Sequence, residues 1–156
     1  MNREQELMSA LAKTTFRLHG QLVAIGEGLA RPSGMTGASW QVLAAVLRTP
    51  LSVADVAREI GVTRQSVQRV ADLLVAQGLA DYQPNPRHRR AKLLTATSAG
   101  RDAIRRIAPG HAAFAARLAG ELGVATMEDT LAAVRRLSEV LEALEEGSVA
   151  GANCAL

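Results

Sequence analysis

Residues 52–78 read SVADVAREIGVTRQSVQRVADLLVAQG and contain two short helical patterns separated by a glycine. Ser52 can cap the first helix, and Gly61 is placed to end it. The apolar residues of that helix recur at helical spacing: Val53, Val56, Ala57 and Ile60. Thr63 can cap a second helix, which Gly78 closes. Two helices joined by so tight a glycine-containing turn predict a helix-turn-helix.

The second helix of this pair places its apolar and polar side chains on opposite faces. The apolar face is formed by Val67, Val70 and Leu74. The polar face and the helix start carry Thr63, Arg64, Gln65, Ser66, Gln68 and Arg69, with Asp72 among them. Arg and Gln side chains can make bidentate contacts with guanine and adenine in the major groove. Hydroxyl groups at a helix start can contact phosphates. Taken alone, such a face is also typical of an ordinary solvated helix.

A hairpin with a basic tip follows this helix. LADYQ (79–83) and AKLLTA (91–96) are typical of short strands, and PNPRHRR (84–90) is typical of a turn. The basic or potentially basic side chains near the tip are Arg87, His88, Arg89, Arg90 and Lys92. A wing beside a recognition helix reaches the adjacent minor groove, whose negative potential favours arginine, while Lys92 is expected to contact a phosphate. The order of capped helix, polar helix and basic hairpin favours DNA binding over a solvated charge run.

Two helical patterns precede this unit. From about Glu4 to Ala30, apolar residues recur at three- and four-residue steps, which predicts one long helix with an apolar stripe. This helix is expected to end by Arg31, because Pro32 disfavours helical geometry in the residue before it. A second helix is expected to begin at Thr36, a suitable N-cap, and to continue until Pro50.

Two more helices are expected after the hairpin. Thr97 begins a helix predicted to continue to about Leu118, bent or interrupted at Pro109. GELGVAT (120–126) is typical of a break, and the last helix is predicted from about Thr126 to Glu146 with a heptad-like apolar stripe. The apolar stripes of the first and last helices exceed what one small lobe can cover. We therefore expect the protein to self-associate.

Composition and charge restrict the class of protein. A hydrophobic content of 48% with 21% charged residues is typical of a globular chain. The net charge is only +3, yet residues 58–106 carry ten Lys/Arg against four Asp/Glu, which indicates contact with a polyanion. No apolar run reaches the roughly 18 residues that span a bilayer, and the N-terminus is not a secretory signal. The single Cys154 suits a reducing compartment, so we predict a cytoplasmic protein without a membrane partner.

The region from TGASWQVLAAV (36–46) through the helix-turn-helix and hairpin resembles the MarR family (multiple-antibiotic-resistance regulators). The most specific parts are TRQSVQRVADLLVAQGL (63–79) and NPRHRRAKLLTATSAG (85–100). The resemblance implies a mainly α fold with a small β-hairpin wing, a winged helix-turn-helix with N- and C-terminal dimerisation helices. It also implies a homodimer that binds double-stranded, pseudo-palindromic DNA operators. Members are usually repressors released by small aromatic or phenolic ligands.

The resemblance divides the chain into four regions. Residues 1–34 are expected to form an N-terminal dimerisation helix, and residues 35–100 a winged helix-turn-helix DNA-binding domain. Residues 101–147 are expected to form C-terminal dimerisation helices, and residues 148–156 a flexible tail.

One position departs from the family pattern. The family commonly has an acidic residue two positions before the wing arginine that matches Arg90, and this acid holds the arginine in place. Here the position is His88. Either Asp81 or another carboxylate takes the place of the acid, or the wing is looser and more generally cationic.

In this family, small ligands bind between the DNA-binding lobe and the dimerisation helices. The matching residues of this chain are Phe16, His19, Val23, Trp40, Leu43, Ile107 and His111. A histidine in an apolar lining can orient a phenol or a carboxylate. The stronger alternative is that Phe16 and Trp40 are simple core residues, which leaves a constitutive DNA binder without an effector.

No pattern predicts catalysis, a metal site or a cofactor. Three scattered histidines and Cys154 lack the spacing of zinc ligands. Ser52, Ser66 and Ser98 have helix-capping or surface explanations, and no glycine-rich phosphate loop occurs. Redox-sensing relatives have a reactive cysteine in the first helix, so a regulatory role of Cys154 is not expected. The competing function from another class is a winged-helix module that binds protein, against which the basic wing and the Arg/Gln face argue.

Overall fold

The structure, a computed structural model, describes the backbone of residues 2–152 and the side chains of residues 2–146. It is mainly α-helical with a small β-hairpin, as predicted, and the hairpin belongs to a three-stranded antiparallel sheet. The helices are α1 (Arg3–Ala30), α2 (Gly37–Ala45), α3 (Val53–Ile60), α4 (Arg64–Ala76), α5 (Ser98–Leu122) and α6 (Val124–Ala152). The strands are β1 (Leu51–Ser52), β2 (Ala80–Gln83) and β3 (Leu93–Ala96). A short 3₁₀ turn, Arg31–Ser33, follows α1 and contains the proline expected to end it.

Local sequence determines where the helices of the helix-turn-helix begin and end. The hydroxyl oxygens of Ser52 and Thr63 accept the backbone N–H three residues later, at 3.1 and 3.2 Å. Thr36 caps α2 in the same way, at 3.0 Å. Gly61 and Gly78 both have φ of 70°, the left-handed conformation that glycine adopts without a Cβ clash. These caps and turns confirm the predicted helix-turn-helix.

The sheet contains one strand that the sequence did not predict. Its order is β1-β3-β2, and β2 and β3 form the predicted hairpin with Ala80 opposite Ala96. β1 pairs with the far side of β3, with Leu51 opposite Leu94. Two residues are too few to carry a periodic pattern, so β1 has no signal in the sequence. Because β1 leads directly into α3, it ties the base of the hairpin to the helix-turn-helix.

The hydrophobic core joins α2, α3 and α4 to the sheet and the first turns of α5. Its largest fully buried side chains are Leu43, Leu74, Leu94, Val42, Val46, Val56 and Val67. Burying one such side chain stabilises the fold by about 1.5–3 kcal/mol. Since α4 contributes Val67, Ala71 and Leu74, the core holds this helix with its polar face outward.

Helix α1 approaches this core near its C-terminal end. Ala30 is fully buried. Glu27 Oε1 accepts the backbone N–H of Gly37 at 2.8 Å, which places a carboxylate at the positive end of the α2 dipole. Earlier in α1 nearly all side chains are exposed, Phe16 among them.

Helix α2 is shorter than predicted. It ends at Ala45, although no proline occurs before Pro50. Beyond the helix, the carbonyl oxygen of Leu47 accepts a hydrogen bond from Arg101 Nη1 at 2.9 Å. A tertiary contact from α5 therefore satisfies a carbonyl group for which the predicted helix provided no partner.

The last two helices are longer than predicted. Helix α5 continues through Pro109 without interruption and extends to Leu122. The expected break is confined to Gly123. Its φ of 81° lies in the left-handed region, which favours glycine. The tail predicted over residues 148–156 overlaps α6, which extends to Ala152, and residues 153–156, with Cys154, lie outside the described residues.

The contacts within the chain define two compact units. One includes residues up to His111 and the other begins at Ala112. The first unit contains the helix-turn-helix, the sheet and α1, and the second contains the remainder of α5 together with α6. The functional boundaries 1–34, 35–100 and 101–147 stay predictions.

Gly100 allows α5 to begin against the turn between α4 and β2. A Cβ at this position would overlap the carbonyl oxygen of Leu79 and would lie 3.3 Å from Leu43 Cδ1. The same carbonyl oxygen accepts the backbone N–H of Thr97 at 3.1 Å, so it cannot move away freely. The close approach of two backbones therefore requires glycine here.

We predict that Gly100→Ala destabilises the protein by about 1–3 kcal/mol or more, because the added methyl group must displace backbone. Urea unfolding followed by circular dichroism measures the change. Gly110→Ala, in the same helix, is the matched control, since its Cβ would meet Leu29 Cδ2 at an ordinary 3.6 Å. The control is expected to be neutral or stabilising by up to about 1 kcal/mol. Equal stability of the two variants would contradict the proposed close approach.

Candidate nucleic-acid interface

Helix α4 presents its predicted polar residues to solvent. Arg64, Gln65, Ser66, Gln68 and Arg69 are all exposed, as is the capping residue Thr63. The Thr63 hydroxyl group donates to Ser66 Oγ at 2.9 Å while its oxygen caps the helix, so its hydrogen is used within the cap. Ser66 therefore keeps a hydroxyl hydrogen for a phosphate at the positive end of the helix.

The hairpin tip forms an ordered turn with its cations outward. Asn85 Oδ1 accepts the backbone N–H of Arg87 at 3.0 Å, an Asx turn that the asparagine and proline composition favours. The backbone N–H of His88 donates to the Asn85 carbonyl oxygen at 3.3 Å. The predicted wing residues Arg87, His88, Arg89, Arg90 and Lys92 are all exposed.

Among the residues that the structure describes, no carboxylate forms an ion pair with the wing arginine Arg90. Among the described residues, the ion pairs are Arg3–Glu6, Arg58–Asp55 and Arg105–Asp102. None of them includes Arg90 or Asp81. The described residues thus show no ion pair of Arg90 with Asp81 or another carboxylate, and a looser, more generally cationic wing stays a prediction.

The wing strand and α4 are joined by three polar side chains. Tyr82 Oη donates to Asp72 Oδ1 at 2.7 Å. Gln68 Nε2 lies 2.8 Å from Tyr82 Oη and 2.9 Å from Asp72 Oδ1, as a donor to both. On the same tyrosine, Lys92 Nζ lies 5.9 Å from the ring centroid, within cation–π range. The wing is thus held to the recognition helix by side chains as well as by backbone.

Tyr82 and Asp72 were not among the predicted site residues. Gln68 and Asp72 stand four residues apart on a helix, a spacing at which Gln and Asp side chains interact. That spacing was visible in the sequence. The third member was not, because only the fold places β2 beside α4.

A hollow of about 380 Å³ lies where the start of α3, the polar face of α4 and the base of the wing converge. Its lining includes Ser52, Val53, Ala54, Arg64, Gln68, Asp72, Tyr82, Arg90, Ala91 and Lys92. Arg64 from the helix therefore shares one concave surface with Arg90 and Lys92 from the wing. Such a surface concentrates positive potential where a phosphate backbone can enter. Near it, the Ser52 hydroxyl hydrogen bond lowers the pKa of the Asp55 carboxyl group.

The residues predicted to bind an effector fall into two groups. Leu43 and Ile107 are fully buried and belong to the hydrophobic core, so packing accounts for them. Trp40 is half-buried and makes an edge-to-face contact with His111, with ring centroids 5.5 Å apart. The remaining residues, Phe16, His19 and Val23, are exposed on α1, Phe16 by 78%. Phe16 is therefore not a core residue of the single chain, contrary to the alternative given above. The effector site stays a prediction.

Neither a membrane-spanning helix nor a metal-binding cluster occurs in the described part of the chain. Residues 2–152 include no helix that is both long and apolar enough to cross a membrane. They also include no cluster of three or more His, Cys, Asp or Glu residues suited to hold a metal ion.

Comparison with known proteins identifies relatives of the whole chain. A family model described as "MarR family" matches residues 33–91. An uncharacterized protein of Mycobacterium tuberculosis is 39% identical over 136 residues, covering 87% of this chain and 95% of that protein. The transcriptional activatory protein BadR of Rhodopseudomonas palustris is 26% identical over 150 residues, covering 93% of this chain and 86% of BadR. These matches extend beyond the helix-turn-helix and the wing.

A solved structure shares the same fold. It is a structure of BpsR from Bordetella bronchiseptica, a protein whose DNA binding is described as regulated by 6-hydroxynicotinic acid. Its TM-score to this chain is 0.71, with 25% sequence identity, 81% of this chain covered and 91% of BpsR. The winged helix-turn-helix and its flanking helices are therefore found together in a related protein.

Burial, and then the hydrogen bond to the Asp72 carboxylate, raise the pKa of Tyr82 to about 12, from a usual 10.0. Both effects disfavour the phenolate, because it would be poorly solvated and would face another anion. At ordinary pH the hydroxyl group therefore stays a hydrogen-bond donor.

We predict that Tyr82 titrates at pH about 12 in the folded protein and at about 10 in urea. It is the single tyrosine of the chain, so the ultraviolet absorbance of tyrosinate reports it alone. Because the folded pKa is raised, the associated stability is complete below pH about 10 and is lost as the pH rises towards 12. Asp72→Asn should lower the folded midpoint part of the way, since burial is the larger cause. A folded midpoint near 10 in the wild type would refute the hydrogen-bonded arrangement.

Proposed function

Because the chain belongs to the MarR family of transcription regulators, we propose that it is a homodimeric repressor that binds pseudo-palindromic operators and is released by a small aromatic or phenolic ligand. As a member of this family it is a DNA-binding transcription regulator and not an enzyme. Repression, dimerisation and ligand release are the proposed parts. Dimerisation is supported by the exposed apolar residues and ligand release by a related protein, whereas repression rests on the family resemblance alone.

The observation that carries the DNA-binding mode is the surface shared by α4 and the wing. Arg64 projects from the helix start, and Arg90 and Lys92 come from the wing, around one concave surface. With α4 in the major groove, its Arg and Gln side chains reach base edges. The wing then meets the flanking minor groove, where Arg90 inserts and Lys92 contacts a phosphate.

Exposed apolar residues support the homodimer. On α1, Leu7, Leu11 and Leu22 are exposed by 47–56%. On α6, Val134 and Leu144 are exposed by 50% and 65%. Monomeric soluble proteins rarely leave such stripes open to water, and a second copy of the chain covers both in the proposed dimer. The two recognition helices then meet half-sites about 10 bp apart, or a multiple of that distance.

The proposed effector is a small aromatic acid or phenol. The related protein BpsR is described as regulated by 6-hydroxynicotinic acid, which belongs to this chemical class. In the present chain, the half-buried Trp40 and the ring of His111 provide an aromatic surface and a polar group side by side. Such a combination can orient an aromatic acid.

A winged-helix module that binds protein is the alternative, as is a constitutive DNA binder. The protein-binding module would show no preference for a DNA sequence, because its polar α4 face would contact a protein and not DNA bases. The second would bind an operator with the same affinity in the presence and absence of aromatic acids.

We predict that the protein binds one operator in DNA upstream of its own gene and that Arg90→Ala weakens this binding by about 1–3 kcal/mol. The cause is the loss of the minor-groove arginine. Fluorescence anisotropy at fixed salt measures the affinity, with Arg3→Ala as the control because Arg3 is equally cationic but lies at the start of α1. Equal effects of the two substitutions would contradict the role of the wing, and binding without sequence preference would favour the protein-binding module.

We predict that light scattering at micromolar concentration finds twice the monomer mass. Leu11→Glu should shift the protein towards the monomer, because it places a charge in the apolar stripe of α1. Lys13→Glu, at an exposed polar position of the same helix, should leave the dimer intact. A wild-type monomer would refute the proposed dimer.

A further inference from the structure

We propose that Tyr82 and Asp72 are positioning residues that fix the orientation of Gln68 as a base-reading side chain, and that this trio determines operator sequence at one base pair of each half-site. The inference rests on the proposed DNA-binding mode and adds to it a specificity determinant supplied partly by the wing. It concerns sequence discrimination and not general affinity for DNA.

The orientation of the Gln68 amide group follows from its partners. The Asp72 carboxylate can only accept hydrogen bonds, so the amide nitrogen must face it and the amide oxygen must point away. Tyr82 Oη completes the arrangement, because its hydrogen is donated to Asp72 and its lone pair accepts from Gln68. The reversed amide would set two acceptors against each other.

The arrangement leaves part of the Gln68 amide group available. The three polar atoms form a triangle with sides of 2.7, 2.8 and 2.9 Å. The two acceptors are therefore about 60° apart as seen from the nitrogen, whereas the two amide hydrogens are about 120° apart in a planar amide. One hydrogen can point towards each acceptor, about 30° from the ideal direction, so the amide oxygen is the group that remains free. The free amide oxygen can accept a hydrogen bond from adenine N6 in the major groove.

Gln68 differs in this respect from its neighbours on α4. In the described part of the chain, the side chains of Arg64, Gln65 and Arg69 make no hydrogen bond. The Gln68 side chain donates to Asp72, one turn further along α4, and to Tyr82 of the wing strand. Immobilising a long side chain at an interface costs conformational entropy. Gln68 is already held in one orientation in the folded protein, so little of this entropy is lost when DNA binds.

The partner on the wing makes the orientation depend on the hairpin. Tyr82 lies in β2 opposite Leu94 of β3, and Leu94 is fully buried in the core. The tyrosine backbone is therefore anchored by the sheet while its hydroxyl group reaches α4. The same wing that is proposed to enter the minor groove thus also orients a major-groove side chain.

The test uses the full chain and a set of duplexes in which each base pair of the wild-type operator is changed in turn. Tyr82→Phe removes only the hydroxyl group, so we expect discrimination at one A·T pair per half-site to fall by about threefold to tenfold. Affinity for unrelated DNA and the dependence of binding on salt should stay unchanged, because no cation is altered. Gln68→Ala should abolish discrimination at the same base pair.

A double variant separates positioning from mere stability. If Tyr82 acts through Gln68, then Tyr82→Phe in the Gln68→Ala background should cause no further loss at that base pair. Asp72→Asn should reproduce the loss seen with Tyr82→Phe. Asp81→Asn is the matched control, since it removes the same charge from the adjacent position of β2, whose side chain points to the other face of the sheet.

Four results would overturn the inference. A uniform loss of affinity for all duplexes would assign Tyr82 a structural role only, and an undiminished effect in the Gln68→Ala background would show that Tyr82 acts independently. If the wild-type protein distinguishes the operator and Tyr82→Phe keeps every base preference, the inference is refuted and the proposed function stands. A wild-type protein with no sequence preference at all would overturn the proposed function first and this inference with it.

Discussion

The backbone of Leu79 is the point at which the DNA-binding unit is assembled. Its N–H donates to the Leu74 carbonyl at the end of α4, and its carbonyl oxygen accepts from Thr97 at the start of α5. The missing side chain of Gly100 allows α5 to approach this carbonyl. The backbone of one residue thus links the recognition helix, the first wing strand and the next helix, so their relative positions depend on backbone contacts that tolerate little displacement.

The packing of this unit also determines where the positive charge of the chain lies. The segment 58–106 carries ten Lys/Arg residues, and repulsion between cations opposes their concentration on one surface. The buried Val67 and Leu74 hold α4 from below, and β1 and β2 hold β3 from both sides. Because the apolar core offsets this repulsion, the cations of helix and wing can face one hollow. That surface suits a polyanion better than an apolar protein partner.

The sequence was most informative where a structure depends on neighbouring residues. Helix starts at Thr36, Ser52 and Thr63 were predictable, since a cap is an interaction over three residues. The two-residue strand β1 was not, because it depends on a partner distant in the chain. The early end of α2 was not predicted either, and there the Leu47 carbonyl group accepts from the distant Arg101. Helix α5 continues through the proline that was expected to bend or interrupt it. The exposed positions on α4 were predicted from periodicity, yet periodicity assigned Gln68 the same environment as Arg64.

By itself, the sequence determined the order of helices, the two-faced character of α4, the basic hairpin tip and the family. Each of these depends on residue type and local spacing, which a linear chain displays. Only the tertiary structure decided that Arg90 has no carboxylate partner among the described residues and that Tyr82 reaches Gln68 and Asp72 across fourteen and ten positions. Hydrogen bonds require atoms to lie within about 3 Å of each other. Packing of the sheet against α4 brings these atoms to that distance, and no local pattern in the sequence encodes it.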